Sequence, residues 1–253
     1  MKKQKQKQLV NIDEFDSTVS LWQLLPSGAG RGLSHLKLIV DSVLNNKADK
    51  ATKPFSLLVT GKQGTRTHAR GFIRALGLEY INEMPAHLLQ APTDAIYDFF
   101  KPELFGDSYL ISNIDTLYPA VLKTPYQIIS KGKYIVIDYS RNIKEIYAVY
   151  RPLVMTTHNI NKLPKYFLEK IDHIVKLEDY TDQQLELAVL QRLKYANIDY
   201  QEEKVLSLLV AYGHSKLYNI IRLLKSSITV MLSGSDSRKT LTVDDIKKVV
   251  AYS

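Results

Sequence analysis

The sequence predicts an α/β protein: a mostly parallel sheet with helices on both faces, followed by a small all-helical domain. Three observations carry this. Between residues 55 and 159, apolar runs of strand length alternate with segments of helical periodicity, the mark of strand–crossover–strand units. Residues 57–77, LLVTGKQGTRTHARGFIRALG, pass directly from an apolar strand through two glycines into a helix, the layout of a phosphate-binding loop. Past residue 180 strand signals give way to successive helix caps.

Taken in order, residues 34–46 (SHLKLIVDSVLNN) carry Leu36, Ile39, Val40, Val43 and Leu44 at helical spacing, with Ser34 as the expected N-cap. The preceding PSGAGRGL (26–33), with Arg31, reads as a flexible loop, and 47–54 as a polar connection. FSLLVTG is a buried strand, HARGFIRALG a helix ending at Gly77, GLEYINE (77–83) a short strand and 92–105 helical. SYLISNI (108–114) is the next strand, after a turn at Gly106-Asp107. PAVLKTPYQIIS is a helix broken near Pro125. KYIVIDY (133–139) and IKEIYAVY (143–150) form a hairpin around Ser140-Arg141-Asn142, and PLVMTTHN (152–159) is a further strand. Thr181 with Gln184 has the capping-box pattern before LELAVLQRLKYAN, and Asp199 with Glu202 resembles it before KVLSLLVAYG. SKLYNIIRLLKSSITVML is a third helix closed by SGSD, and Thr242 caps VDDIKKVVAY. The expected organisation is a basic, disordered tail (1–20), an α/β domain (21–178) and a helical domain (179–253).

Composition narrows the function. There is no cysteine, which excludes disulfides and thiolate metal sites. No apolar run approaches the ~18 residues of a membrane helix, and MKKQKQKQLV lacks the apolar stretch of a secretory signal. A cytoplasmic protein with no membrane partner is expected. The net charge is +8, but four of those charges are Lys2, Lys3, Lys5 and Lys7, in a segment without acids. Nucleic-acid contact is therefore an expectation for the tail, not for the body. The six histidines show no metal-ligand spacing, the sixteen tyrosines fall mostly on strand and core pattern, and neither GxSxG nor HExxH occurs. No metal site and no catalytic residue are expected.

A phosphate-binding loop has the form G-x-x-x-x-G-K-[ST]; backbone N–H groups surround the phosphates, the lysine neutralises the β/γ oxygens and the hydroxyl holds magnesium. Here Gly61 takes the first glycine position, Arg66 the second, Thr67 the lysine and His68 the hydroxyl residue. Arg66 puts a side chain where backbone must approach phosphate, and His68 is a poor magnesium ligand. Gly61, Lys62, Gly64, Thr65, Arg66, Thr67 and His68 are thus the candidate residues of a vestigial phosphate site. The bland alternative is a plain strand-to-helix turn.

The order of segments resembles the RuvB branch of the AAA+ ATPases over roughly residues 30–250. GDSYLISNIDTLYPAV (106–121) is similar to that family's Walker B segment, with Ser112 and Asn113 at the paired acids and Asp115 two residues beyond. The hairpin at 133–150 lies where the family carries a partner-contacting insertion. PLVMTTHN resembles the sensor-1 strand, with Thr156 or Thr157 as the polar sensor. LPKYFLEKIDHIVKLEDYT (163–181) resembles the arginine-finger segment, its arginines falling on Leu168 and Lys170. HSKLYNIIRLLK resembles the sensor-2 helix, with Lys216 at its arginine and Arg222 retained further along, and DSRKTLTVDDIKKVV the end of the lid. The likeness does not extend to the family's winged-helix DNA-binding domain.

The resemblance implies a P-loop-NTPase-like (AAA+) sheet followed by a helical lid. It also implies lost chemistry, because AAA+ enzymes hold Mg²⁺ on the Walker B aspartate and polarise water with the glutamate. An arginine finger acting in trans is worth roughly 10³–10⁵ in rate in the GTPase case. The expectation is a pseudo-ATPase, a structural or regulatory subunit in DNA metabolism whose protein partner is itself or an active AAA+ protein, with no cofactor. The alternatives are a switch that keeps ATP or ADP without hydrolysis, and an adaptor binding nucleic acid through its tail.

Overall fold

The computed structural model describes Phe15 and residues 19–24, 30–45, 54–89, 95–101, 106–138, 143–233 and 239–251. Lys2, Lys3, Lys5, Lys7, residues 26–29, most of 47–54, the Ser140-Arg141-Asn142 turn and residues 234–236 of SGSD lie outside them. The described residues form two compact units, one of 19–24 and 30–179, the other of Phe15 and 180–251.

The first unit is built on a five-stranded parallel sheet of order β2-β3-β6-β1-β7, from β1 (Ser56–Thr60), β2 (Ile81–Pro85), β3 (Ser108–Ser112), β6 (Leu153–Thr157) and β7 (His173–Lys176). Every residue of β1, β3 and β6 is buried, as parallel strands covered on both faces must be. β1 pairs with β6 through Val59↔Thr156 and β3 with β6 through Ile111↔Met155, which brings their carboxyl ends to one edge. Strands β4 (Lys133–Asp138) and β5 (Ile143–Ala148) form the separate antiparallel hairpin. Phe99, Phe100, Tyr109 and Tyr134 lie among the aliphatic core, and the paired rings of Phe99, Phe100 and Tyr109 have centroids 4.9–5.5 Å apart.

Several elements depart from expectation. The first helix, α1, spans Gly30–Asn45, so Ser34 is not its cap; its hydroxyl donates to the Gly30 carbonyl at 3.4 Å inside the first turns. Residues 30–33 are helix, not loop, because Gly32 packs closely: a Cβ there would lie 2.5 Å from the Lys176 carbonyl oxygen. α2 (Thr65–Ala75) follows the loop but begins three residues before the expected His68, because Gly64 in the left-handed region turns the chain directly into helix, and it ends two residues short of Gly77. β2 begins at Ile81, four residues later than GLEYINE suggests. Of the expected helix over 92–105, Ala95–Phe99 forms α3, while 92–94 and 102–105 lie outside the described residues. α4 (Pro119–Lys131) runs unbroken through Pro125, since the core anchors Val121, Leu122, Ile128 and Ile129 on either side of the missing N–H. α5 is the single turn Lys165–Leu168, and β7, four residues long, was not anticipated within 163–181.

In the second unit α6 (Asp182–Tyr195), α7 (Lys204–Tyr212), α8 (Leu217–Ser233) and α9 (Val243–Ala251) enclose their own core, with Leu185, Val189, Leu209, Ile220, Leu224, Met231 and Ile246 buried. Among the described residues the strand structure of this unit is one parallel pairing of β8 (Asp199–Tyr200) with β9 (Thr240–Leu241). That pairing overrides the expected cap at Asp199, whose N–H donates to the Lys239 carbonyl at 2.9 Å; Glu203 is the N-cap of α7, without a capping side-chain bond. No described helix is long and apolar enough to cross a membrane.

Candidate functional site

The strand–turn–helix after β1 is present. Gly61 donates its N–H to the Thr157 carbonyl at 3.2 Å. A Cβ on Gly61 would meet the Leu177 side chain at 3.0 Å, a tight contact, so the turn packs closely against the residue that follows β7. Gly64 sits at φ 71°, ψ 1° and opens α2 without any side-chain cap; only glycine adopts that backbone at no cost. Both glycines that suggest a phosphate loop are thus explained by the turn itself. Thr65, the first helical residue, is buried. Lys62 points out to Asp179, Nζ to Oδ2 2.7 Å, and that hydrogen bond, with the carboxylate's charge second, raises the ammonium pKa.

The side chains that would touch a nucleotide are arranged otherwise. Thr67, at the lysine position, is half-buried, and has no charge to give. His68 is buried; its Nδ1 lies 2.8 Å from the Gly64 carbonyl, which only accepts, so Nδ1 carries the proton. Arg66 and Arg70 converge on one carboxylate, Glu83 of β2. Arg66 Nε pairs with Oε1, and Arg70 Nε with Oε2 at 2.6 Å. Ser112, at the first Walker B position, donates its hydroxyl to the same Oε1 at 3.1 Å. Glu83 is only 11% exposed at its side chain. One turn further on, burial first and Arg70 second lower the Arg74 guanidinium pKa, and Glu83 opposes them.

Asn113, at the second Walker B position, stands in the left-handed region at φ 60° and donates its N–H to the Thr156 hydroxyl at 3.1 Å. Thr156 is buried between β1 and β3, while the Thr157 hydroxyl accepts from Asn159 N–H at 3.1 Å, so the two sensor-1 candidates are both engaged locally. His158 Nδ1 lies 3.0 Å from the Gly61 carbonyl. Asp115 lies in the short 3-10 helix Ile114–Thr116, its Oδ1 buried without a hydrogen-bond partner. Leu168 packs against the core and Lys170 is exposed just beyond α5. Lys216 belongs to the other unit, exposed ahead of α8 after two left-handed residues, His214 and Ser215.

The carboxyl edge of the sheet therefore unites Gly61 with His158, Asn113 with Thr156, and Arg66 with Ser112 through Glu83. Glu83 is the residue that sequence reasoning missed. The available signal was the arginine row 66, 70, 74 at i, i+4, i+8 on a helix with no acid of its own, which calls for an external counter-charge. The group that the resemblance implies is a magnesium nucleotide, and these residues do not fit it. The loop turns its lysine to Asp179 and not to the phosphates, the Walker B pair offers no carboxylate to the metal, and the Glu83 carboxylate is bound by two guanidiniums. Among the described residues no three His, Asp or Glu side chains gather as a metal site would require.

No protein-family model matches this chain, and no curated protein matches it in sequence. Solved structures do match. The RuvB Holliday junction branch migration motor of Thermotoga maritima aligns with a TM-score of 0.70 at 17% identity, covering 94% of this chain and 73% of that one. One mutant of the same protein gives 0.71 at the same identity and coverage. Another gives 0.68 at 18% identity, covering 92% and 72%. At this identity the likeness is one of fold: the chain has the RuvB-like AAA+ fold, a P-loop-type α/β domain followed by a helical region.

Proposed function

We propose that this RuvB-like AAA+ module is a pseudo-ATPase, a structural or regulatory subunit that acts by association with itself or with an active AAA+ partner in DNA metabolism. One observation carries the reading: Glu83 ties Arg66, Arg70 and Ser112 together at the edge where a nucleotide's phosphates and metal would be managed. Phosphoryl transfer works by positioning and charge neutralisation, with cations facing the phosphates and carboxylates facing the metal. In this cleft the cations face a carboxylate of the protein instead. Lys62, retained near the loop, is turned to Asp179. Likeness to a branch-migration motor supports the assignment to DNA metabolism, and exposed Lys170 at the finger position supports loss of bidentate contact to a neighbour's phosphate.

The test is ATP turnover by the purified chain with magnesium. None is expected; turnover on the order of 1 s⁻¹, ordinary for an enzyme, overturns the reading. A second reading, a switch holding ATP or ADP without hydrolysis, is favoured by the preserved loop backbone around Gly64. Thermal shift separates the two, since ligand at 100 Kd adds ~2.7 kcal/mol of stability. DNA binding that disappears with residues 1–8 would point to the basic tail of the adaptor reading.

A further inference from the structure

We infer that Glu83 is a built-in anion that closes the vestigial phosphate site, occupying with its own carboxylate the charge that Arg66 and Arg70 would otherwise offer to a phosphate. The inference rests on the reading of residues 61–68 as a degenerate phosphate loop. The geometry is specific. β2 pairs with β3 in the register Glu83↔Leu110, so Glu83 shares a sheet face with Ser112 two residues on, while its neighbour Asn82 faces the other way and donates to the Phe99 carbonyl at 3.1 Å. Each carboxylate oxygen takes one guanidinium, and Oε1 also takes the Ser112 hydroxyl. Arg70 and Glu83 are mostly buried at 19% and 11%, whereas Arg66 is 55% exposed, so the pair is open to solvent only on the loop side. The positions of Arg66 and Ser112 are those that face phosphate and metal in the family that the chain resembles. An oxyanion arriving there meets a competitor that is tethered to the same fold and acts at a high effective concentration. The site is thus latent: two arginines remain in it, and the anion they hold is supplied internally.

The experiment compares the full chain with Glu83→Gln, using magnesium-free pyrophosphate as the probe in titration calorimetry. E83Q should bind pyrophosphate about tenfold or more tightly than the wild type, the effect of releasing charge-assisted bonds to two arginines, and E83Q/R70Q should lose the gain. Equal affinities of wild type and E83Q, both folded by circular dichroism, overturn the inference and leave the pseudo-ATPase reading standing. ATP turnover by the wild type overturns that reading and leaves the E83Q comparison to decide this one. Should E83Q not fold, the wild type itself decides: the Nε–H resonances of Arg66 and Arg70 should stay in place on adding pyrophosphate, and their movement shows an open site.

Discussion

Two helices of this protein begin in opposite ways. α6 opens on Thr181, whose hydroxyl accepts from the Gln184 N–H at 3.3 Å while the Gln184 side chain accepts from the Thr181 N–H at 2.8 Å, and Asp182 lies in its first turn. α2 opens on Gly64, with no capping side chain, and carries Arg66 rather than an acid in its first turn. A helix N-terminus holds partial positive charge, so α6 is electrostatically complete within four residues and α2 is not. The anion that α2 lacks arrives from β2, 17 residues downstream of Arg66. The arginines of α2 are thus paired by an acid of another element, whereas α6 is capped by its own residues.

That contrast can be broken experimentally, beginning with the largest effect. Glu83→Ala should cost about 3 kcal/mol in chemical denaturation, because it leaves two arginines without their counter-charge, Arg70 largely buried; a loss under half a kcal/mol would make the clamp incidental. Gly64→Ala should cost about 1–2 kcal/mol, since φ 71° strains any residue with a Cβ; an unchanged denaturation midpoint would mean the turn does not need it. Thr181→Ala should cost about 1 kcal/mol through loss of the cap, with no change in pyrophosphate binding. The smallest effect belongs to Lys62→Ala: its pair with Asp179 is exposed, and no measurable change in stability is expected. A double-mutant cycle sharpens the comparison further. Coupling between Glu83 and Arg70 should exceed that between Thr181 and Gln184, and equality would erase the distinction between the two helix starts.

Much of this was readable along the chain because it is local. The Thr181–Gln184 box, the buried strand at 56–60, the helix through His68–Ala75 and the Thr242 cap, where the Thr242 hydroxyl donates to Asp245 at 2.8 Å, are all written within one or two turns. Where expectation erred, a partner distant in sequence decided. Gly30–Leu33 became helix because Gly32 lies against β7, Pro125 was carried by the core on both sides of it, and Asp199 was drawn into a strand by Lys239 and Leu241.

Alone, the amino-acid sequence determined the alternation of buried strands and amphipathic helices, the turn glycines and the absence of the lysine and acids at the family's positions. Those depend on periodicity, backbone freedom and residue identity. Tertiary structure alone decided that Arg66, Arg70 and Ser112 share one carboxylate, because ion pairing depends on distance through space, and only the parallel register of β2 on β3 brings Glu83 beneath α2.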